Sequence, residues 1–168
     1  QSGAAIIRFG GVGFLAVLER LAIAPDDVAK AVSGLAQRDT IREVAVVATC
    51  GRTEVYLVAD RVSDAVARVC AIEPWRRGLS PARAEGHDTL TGTAAAEHVL
   101  RVACGLDSAI LGNGQILGQV RQAYATARAA RSTGPLLNRL FETALRAGKR
   151  ARHETSLGRG ATTTSSAA

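Results

Sequence analysis

Apolar residues in the first part of the chain form short runs with strand-like and helix-like spacing. Ala4–Phe9 is a short apolar run that predicts a strand, and Phe14–Ala22 has the spacing of a helix. Pro25-Asp26-Asp27 is typical of a helix start, because proline suits a first turn and acidic groups suit its positive end. The residues that give this second helix an apolar face are Val28, Ala31, Val32 and Leu35.

Two β-rich segments, Ile41–Thr49 and Thr53–Val58, follow so closely that they predict antiparallel neighbours. Val62–Ile72 has helical spacing again, and His87–Leu90 predicts a short last strand. The order strand, helix, paired strands, helix and strand predicts an α+β fold, with an antiparallel sheet of ferredoxin-like type.

From Thr93 onward the pattern is helical, and no proline interrupts the periodic segments. The predicted helices are Thr93–Cys104, Ile116–Ala130 and Leu136–Arg152. We therefore expect a helical subdomain after the sheet. The predicted segments are an α+β core over 1–91, a helical part over 92–160 and the start of a linker over 161–168.

Composition limits the class of protein. The chain has 168 residues, 47% of them hydrophobic, which is typical of a folded domain rather than a disordered one. No apolar run approaches the roughly 20 residues of a bilayer span, and the opening Gln1-Ser2-Gly3 has no signal-peptide character. We expect a cytoplasmic protein without a membrane partner.

The cysteines Cys50, Cys70 and Cys104 are odd in number and widely spaced. This spacing fits neither a disulfide framework nor a C-x-x-C metal site, so we predict no metal. Cys70 and Cys104 lie on helix-periodic segments, where a small, buried apolar residue is expected. Cys50 lies where two predicted strands meet, a position exposed enough for reaction.

Positive charge is concentrated in the second part of the chain. Residues 1–91 carry 11 basic and 11 acidic side chains, whereas residues 92–168 carry 10 and 4, which accounts for the net charge of +6. Charge alone leaves open a solvated helical face or a surface for a polyanion. With one Trp, two Tyr and three Phe, phosphate contacts are a better explanation than base stacking for any nucleic-acid binding.

A reactive cysteine needs a nearby group that lowers its pKa or takes its proton. Arg52 is two residues from Cys50, and His98 is the candidate proton acceptor. A packed or solvated histidine without a chemical role is the alternative at position 98. Gly10-Gly11-Val12-Gly13 lacks the G-x-G-x-x-G spacing of a dinucleotide site.

Three ordered blocks between Thr49 and Thr155 carry a resemblance to a known family. T49-C-G-R-T-E-V-Y56 is similar to the T-C-N-R-T-E-x-Y motif of the glutamyl-tRNA reductase family. H98-V-L-R-V-A-C-G-L-D-S108 and the following G112-N-G-Q-I-L-G-Q-V120 resemble its H-L-F-R-V-A-S-G-L-D-S and G-E-P-Q-I-L-G-Q-V. L140-F-E-T-A-L-R-A-G-K-R-A-R-H-E-T155 is similar to a family helix of the type F-Q-x-A-L-x-x-G-K-R-V-R-x-E-T.

The resemblance implies a thioester mechanism in which Cys50 is the nucleophile. In the family, the cysteine attacks the ester between glutamate and tRNA, and NADPH reduces the resulting acyl-enzyme to glutamate-1-semialdehyde, a tetrapyrrole precursor. His98 matches a histidine near the reacting ester. The positions that match contacts to the glutamyl group are Thr49, Arg52, Ser108 and Gln115. An arginine suits a carboxylate because its planar fork binds both oxygens.

The family likeness also gives the basic helices a partner, glutamyl-tRNA. The residues expected to contact tRNA phosphates are Arg121, Arg128, Arg139, Arg146, Lys149 and Arg150. No cofactor is expected to bind this chain itself; NADPH is expected if a reductase domain follows. A homodimer of a full-length protein and a downstream aminotransferase or acyl acceptor are further expected partners.

Departures from the family pattern keep alternatives open. The family's S-H-K-T-A-P loop is replaced by F9-G-G-V-G-F14, Gly51 stands for Asn, and Asn113-Gly114 stands for Glu-Pro. One alternative is a stand-alone homologue that transfers the aminoacyl group to another acceptor. The other is a non-catalytic tRNA-binding module, although such a module needs no thiol.

Overall fold

The computed structural model describes residues 3–9, 25–37, 39–49, 53–72, 87–107 and 114–158. Within these ranges, most boundaries fall within two residues of those predicted; the helix predicted over Phe14–Ala22 lies outside them. The elements are β1 (Gly3–Phe9), α1 (Pro25–Ala36), β2 (Ile41–Ala48), β3 (Thr53–Ala59), α2 (Val62–Ala71), β4 (His87–Thr91), α3 (Gly92–Ala103), α4 (Gly114–Ala129), α5 (Pro135–Glu154) and a 3₁₀ turn (Ser156–Gly158).

The strands form a four-stranded sheet in the order β2-β3-β1-β4, and every pairing in it is antiparallel. β2 and β3 are neighbours, as their spacing predicted, with Val47 opposite Glu54 and Ala48 opposite Thr53. The predicted α+β class with an antiparallel sheet is therefore confirmed.

Helices cover both faces of this sheet. On one face, α1 and α2 pack against side chains of the two neighbouring strands, among them Val44, Val46, Val55 and Leu57. On the other face, α3, α4 and α5 pack against the alternate side chains, Ala45, Val47, Tyr56 and Val58. Burial on both faces explains why β2 and β3 are almost continuously apolar instead of alternating with polar residues.

The start of α5 is capped by a side chain from the sheet. Glu43 of β2, only 8% exposed, accepts backbone N–H bonds from Gly134, Leu136 and Leu137 at 2.9, 3.2 and 2.7 Å. The negative carboxylate therefore satisfies free N–H groups at the positive end of the helix. A Cβ atom at Gly134 would lie 2.8 Å from this carboxylate, so a side chain at position 134 would displace the Glu43 cap.

The predicted boundary between residues 91 and 92 stays a prediction. In the structure β4 ends at Thr91 and α3 begins at Gly92, whose φ of 57° suits glycine at the junction. Within the described ranges, no helix has the length and apolar character needed to cross a membrane.

Candidate functional site

The connection between β2 and β3 carries the predicted nucleophile. Cys50 and Arg52 lie outside the described residues, as does Ser108 in the segment before α4. Thr49, the residue after β2, is half-buried. β3 begins with two fully buried residues, Thr53 and Glu54. The structure thus describes the residues on both sides of this connection.

Glu54 is a carboxylate with no exposed surface, on the sheet face that α3, α4 and α5 cover. Its Oε2 accepts a 2.5 Å hydrogen bond from the hydroxyl of Tyr56, which lies two residues along the same face of β3. The Tyr56 ring is held edge-on against Phe141 of α5, with ring centroids 5.3 Å apart. Packing from α5 therefore fixes the hydroxyl that contacts Glu54.

His98 belongs to the buried stripe of α3. Its neighbours Ala95, Val99 and Val102 are buried at helical spacing, which directs the imidazole toward the sheet. The side chain is 7% exposed, and its Nε2 lies 2.9 Å from Oε1 of Glu54. His98 is thus hydrogen-bonded within a polar cluster, rather than packed among apolar groups alone.

Asp107 lies beside the second ring nitrogen of His98. Its Oδ2 is 3.7 Å from Nδ1, a distance longer than a hydrogen bond, and its side chain is 28% exposed. A Schellman turn places it there: Gly105 has φ 75°, its N–H bonds to Val102 O at 2.9 Å, and Leu106 N–H bonds to Arg101 O at 2.9 Å. Glycine at position 105 therefore ends α3 and sets the path of the chain to Asp107.

Glu54, His98 and Asp107 are close enough to be considered as metal ligands, with one donor atom from each within 4.8 Å of the others. The two carboxylates, however, contact opposite nitrogens of the ring. A single ion binds one imidazole nitrogen. The geometry therefore favours a hydrogen-bonded cluster over a metal centre.

Gln115 is exposed in the first turn of α4, and the next residues, Ile116 and Leu117, are buried in the same core as α3. Arg152, near the end of α5, donates a 2.8 Å hydrogen bond to the carbonyl of Gly114. These contacts fix the start of α4 between α3 and α5. Whether Gln115 meets a glutamyl group remains a prediction.

The basic residues predicted to contact tRNA are all exposed on α4 and α5. Arg128 lies over the ring of Tyr124, 5.9 Å from its centroid, and Arg146 donates to the Thr143 hydroxyl at 3.1 Å. Arg150 forms two hydrogen bonds with Glu154, at 3.0 and 3.2 Å, and lowers the pKa of that carboxyl. The remaining residues in this set are Arg121, Arg139 and Lys149.

Cys70 and Cys104 are half-buried free cysteines, and burial raises the pKa of both thiols. Both thiols are therefore less ionised near neutral pH than an exposed cysteine. Both cysteines are thus partly buried, rather than fully buried as expected.

Sequence reasoning did not single out Glu54, Tyr56 or Asp107, although all three lie inside the quoted motifs. A signal was present: Glu54 is a charged residue in a strand whose other residues are apolar or neutral. A charged residue there must find a partner on the neighbouring layer. The identity of that partner depends on packing between residues 44 positions apart.

The fold and the site define an α+β domain in which a sheet carboxylate is paired with a histidine from a covering helix. The family model for "Glutamyl-tRNAGlu reductase, N-terminal domain" matches residues 14–155. The chain belongs to this family.

Relatives and a solved structure agree with this family. The chain is 42% identical over 146 residues to a glutamyl-tRNA reductase of Salinispora arenicola, covering 86% of this chain and 32% of the relative. It is 43% identical over 154 residues to one of Acaryochloris marina, covering 90% and 35%. The structure of glutamyl-tRNA reductase from Methanopyrus kandleri superimposes with a TM-score of 0.73 at 25% identity, covering 96% of this chain and 37% of that chain. The chain thus spans about a third of the length of these relatives.

Proposed function

We propose that this chain is the part of a glutamyl-tRNA reductase that binds glutamyl-tRNA and forms the glutamyl thioester. The observation that carries the proposal is the family match over residues 14–155, a range that includes Cys50, Arg52 and His98. The family likeness extends to the fold, since the superposition on the Methanopyrus kandleri structure covers 96% of this chain. The strand order and the two helices on one face of the sheet also support the ferredoxin-like type for the core.

In the proposed reaction the Cys50 thiolate attacks the carbonyl carbon of the ester that joins glutamate to tRNA. The carbon–oxygen bond to the ribose breaks, the tRNA hydroxyl leaves with a proton, and a glutamyl thioester remains on Cys50. Arg52 binds a carboxylate of the glutamyl group through its planar fork. Thr49, Ser108 and Gln115 add polar contacts to the same group.

The position of His98 supports a role in proton transfer. Glu54, its hydrogen-bond partner, is the second residue of β3, and Cys50 lies four residues earlier in the chain. Thr49 follows directly on Ala48, which pairs with Thr53 beside Glu54 at this end of the sheet.

The whole enzyme's chemistry needs a hydride source. NADPH, bound outside this chain, would supply the hydride that converts the thioester to an aldehyde, glutamate-1-semialdehyde, for tetrapyrrole synthesis in the cytoplasm. Without that source, water is the acceptor and the products are glutamate and free Cys50. Neither aminoacyl transfer to another acceptor nor a purely tRNA-binding role is favoured by a specific observation.

The test is deacylation of glutamyl-tRNA by this chain without NADPH. We expect Cys50→Ser to reduce glutamate release by orders of magnitude, because a hydroxyl is far less ionised than a thiol near neutral pH. Cys70→Ser and Cys104→Ser are the matched controls and should deacylate like the parent. If Cys50→Ser deacylates as fast as the parent, Cys50 is not the nucleophile.

A further inference from the structure

The proposed reaction assigns no role to the buried carboxylate of Glu54. Its side chain is 0% exposed, and burying an ionised carboxylate is costly unless it is paired and hydrogen-bonded. Its surroundings are otherwise a well-packed apolar layer of the sheet and three helices. We therefore expect a buried carboxylate at a candidate active site to have a role beyond packing.

The hydrogen bonds of an ionised Glu54 assign the proton of a neutral His98 to one ring nitrogen. Tyr56 donates its hydroxyl proton to Oε2. When Glu54 is ionised, its carboxylate has acceptors only, and Nε2 of His98 is then the donor to Oε1. A neutral imidazole carries one N–H. With that proton on Nε2, the lone pair lies on Nδ1.

The Nδ1 edge of the ring is therefore the reactive one. Asp107 lies 3.7 Å from Nδ1, too far for a hydrogen bond to compete for the lone pair. It is near enough for its charge to stabilise an imidazolium formed when Nδ1 takes up a proton. Asp107 is also the more exposed of the two carboxylates, so this edge adjoins the accessible side of the cluster.

We propose that Glu54 and Tyr56 are positioning residues that hold His98 with its proton on Nε2, so that Nδ1 exchanges a proton with the reacting groups. Nδ1 accepts the thiol proton of Cys50 and returns it to the ribose oxygen as the tRNA leaves, which leaves no net change in protons. The proposal rests on the proposed function for the identity of the reacting groups. The assignment of the His98 proton to Nε2 does not depend on the proposed function.

The first test reads the tautomer directly. In the chain labelled with ¹⁵N-histidine, the His98 signals, assigned by their loss in His98→Gln, should show a protonated Nε2 and an unprotonated Nδ1 in the neutral form. His87 and His153 serve as internal references. A protonated Nδ1 in the parent chain would overturn the proposal.

The second test is a double-mutant cycle on the single-turnover rate of glutamyl-tRNA deacylation. His98→Gln should slow the reaction by about 10²- to 10⁴-fold, the range for removing a general base. Glu54→Gln should slow it by about ten- to a hundredfold with tRNA affinity unchanged, and Tyr56→Phe by less, since it removes one of two hydrogen bonds to the carboxylate. In the His98→Gln background, Glu54→Gln should have almost no further effect.

Matched controls separate positioning from stability. Glu43→Gln changes a second buried carboxylate, on the neighbouring strand. Tyr124→Phe removes the hydroxyl of a second buried tyrosine, which contacts Asn138 and Glu142. Both should retain the parent rate per folded molecule. Additive effects of Glu54→Gln and His98→Gln on the rate would overturn the proposal. If Glu54→Gln fails to fold, the same cycle can be measured with Tyr56→Phe and His98→Gln.

The two proposals fail in different ways. If the parent chain does not deacylate glutamyl-tRNA, the proposed function falls while the tautomer measurement still decides the positioning of His98. If the parent chain deacylates through Cys50 but the cycle is additive, only the positioning falls.

Discussion

At the scale of single residues, Gly148 determines how closely α5 approaches the rest of the helical layer. A Cβ atom at this buried position would lie 2.5 Å from the carbonyl oxygen of Ala103 and 2.7 Å from Cδ1 of Leu117. The first neighbour is backbone at the end of α3, so it has little freedom to move. Gly148 is thus the point at which α3, α4 and α5 meet.

We expect Gly148→Ala to destabilise the domain by about 1 to 3 kcal/mol, because the added methyl group overpacks this contact. Gly118→Ala is the matched control: Gly118 lies on α4, is exposed, and has nothing within 4 Å of its Cβ position. There, alanine should stabilise by up to about 1 kcal/mol through helix propensity. Urea unfolding of both variants measures the difference in their free energies of unfolding. Equal values would show that the helices shift to accommodate a methyl group at position 148.

At the scale of elements, α5 has an exposed face on which Arg139, Arg146 and Lys149 follow one another at helical spacing. Arg150, beside them, is engaged by Glu154. A phosphate that approaches this face must compete with Glu154 for Arg150, whereas the described structure gives no such ion pair for the other three. The residues of the predicted tRNA-binding set are therefore not equivalent.

This difference leads to a prediction about salt dependence. Each of Arg139→Gln, Arg146→Gln and Lys149→Gln that removes a phosphate contact should flatten the plot of log affinity for tRNA against log salt by roughly 0.7 to 0.9. Glu154→Gln should tighten binding, because it frees Arg150 and removes a negative charge. Arg42→Gln, which breaks an ion pair with Asp60 on the sheet, is the control and should leave the slope unchanged. An unchanged slope in all three variants on α5 would mean that this face is only solvated.

At the scale of the whole molecule, local sequence pattern predicted the elements well. The apolar face of α1 and the apolar runs of β2 and β3 depend on neighbouring residues, so periodicity was enough to identify them. The pairing of Glu54 with His98 joins positions 44 apart, and the capping of α5 by Glu43 joins positions more than 90 apart. Such contacts arise from the stacking of layers, which no local pattern encodes.

The candidate site was only partly predictable for the same reason. Resemblance to family motifs identified His98, but periodicity alone left a packed histidine as the alternative. The structure adds the carboxylate on each side of the ring and the tyrosine behind one of them. These partners give His98 a defined orientation, which is what a proton-transferring residue requires.

In the proposed reaction, Cys50 accepts a glutamyl group from tRNA. The most direct measurement is intact-protein mass spectrometry after brief incubation of the chain with glutamyl-tRNA and rapid acid quenching, followed by peptide mapping. We expect a mass increase of one glutamyl group on the peptide that contains Cys50. Hydroxylamine should remove this group, as expected of a thioester, and the group should be absent in Cys50→Ser. Glutamate release without any adduct on Cys50 in the parent, or an adduct that persists in Cys50→Ser, would contradict the proposed reaction.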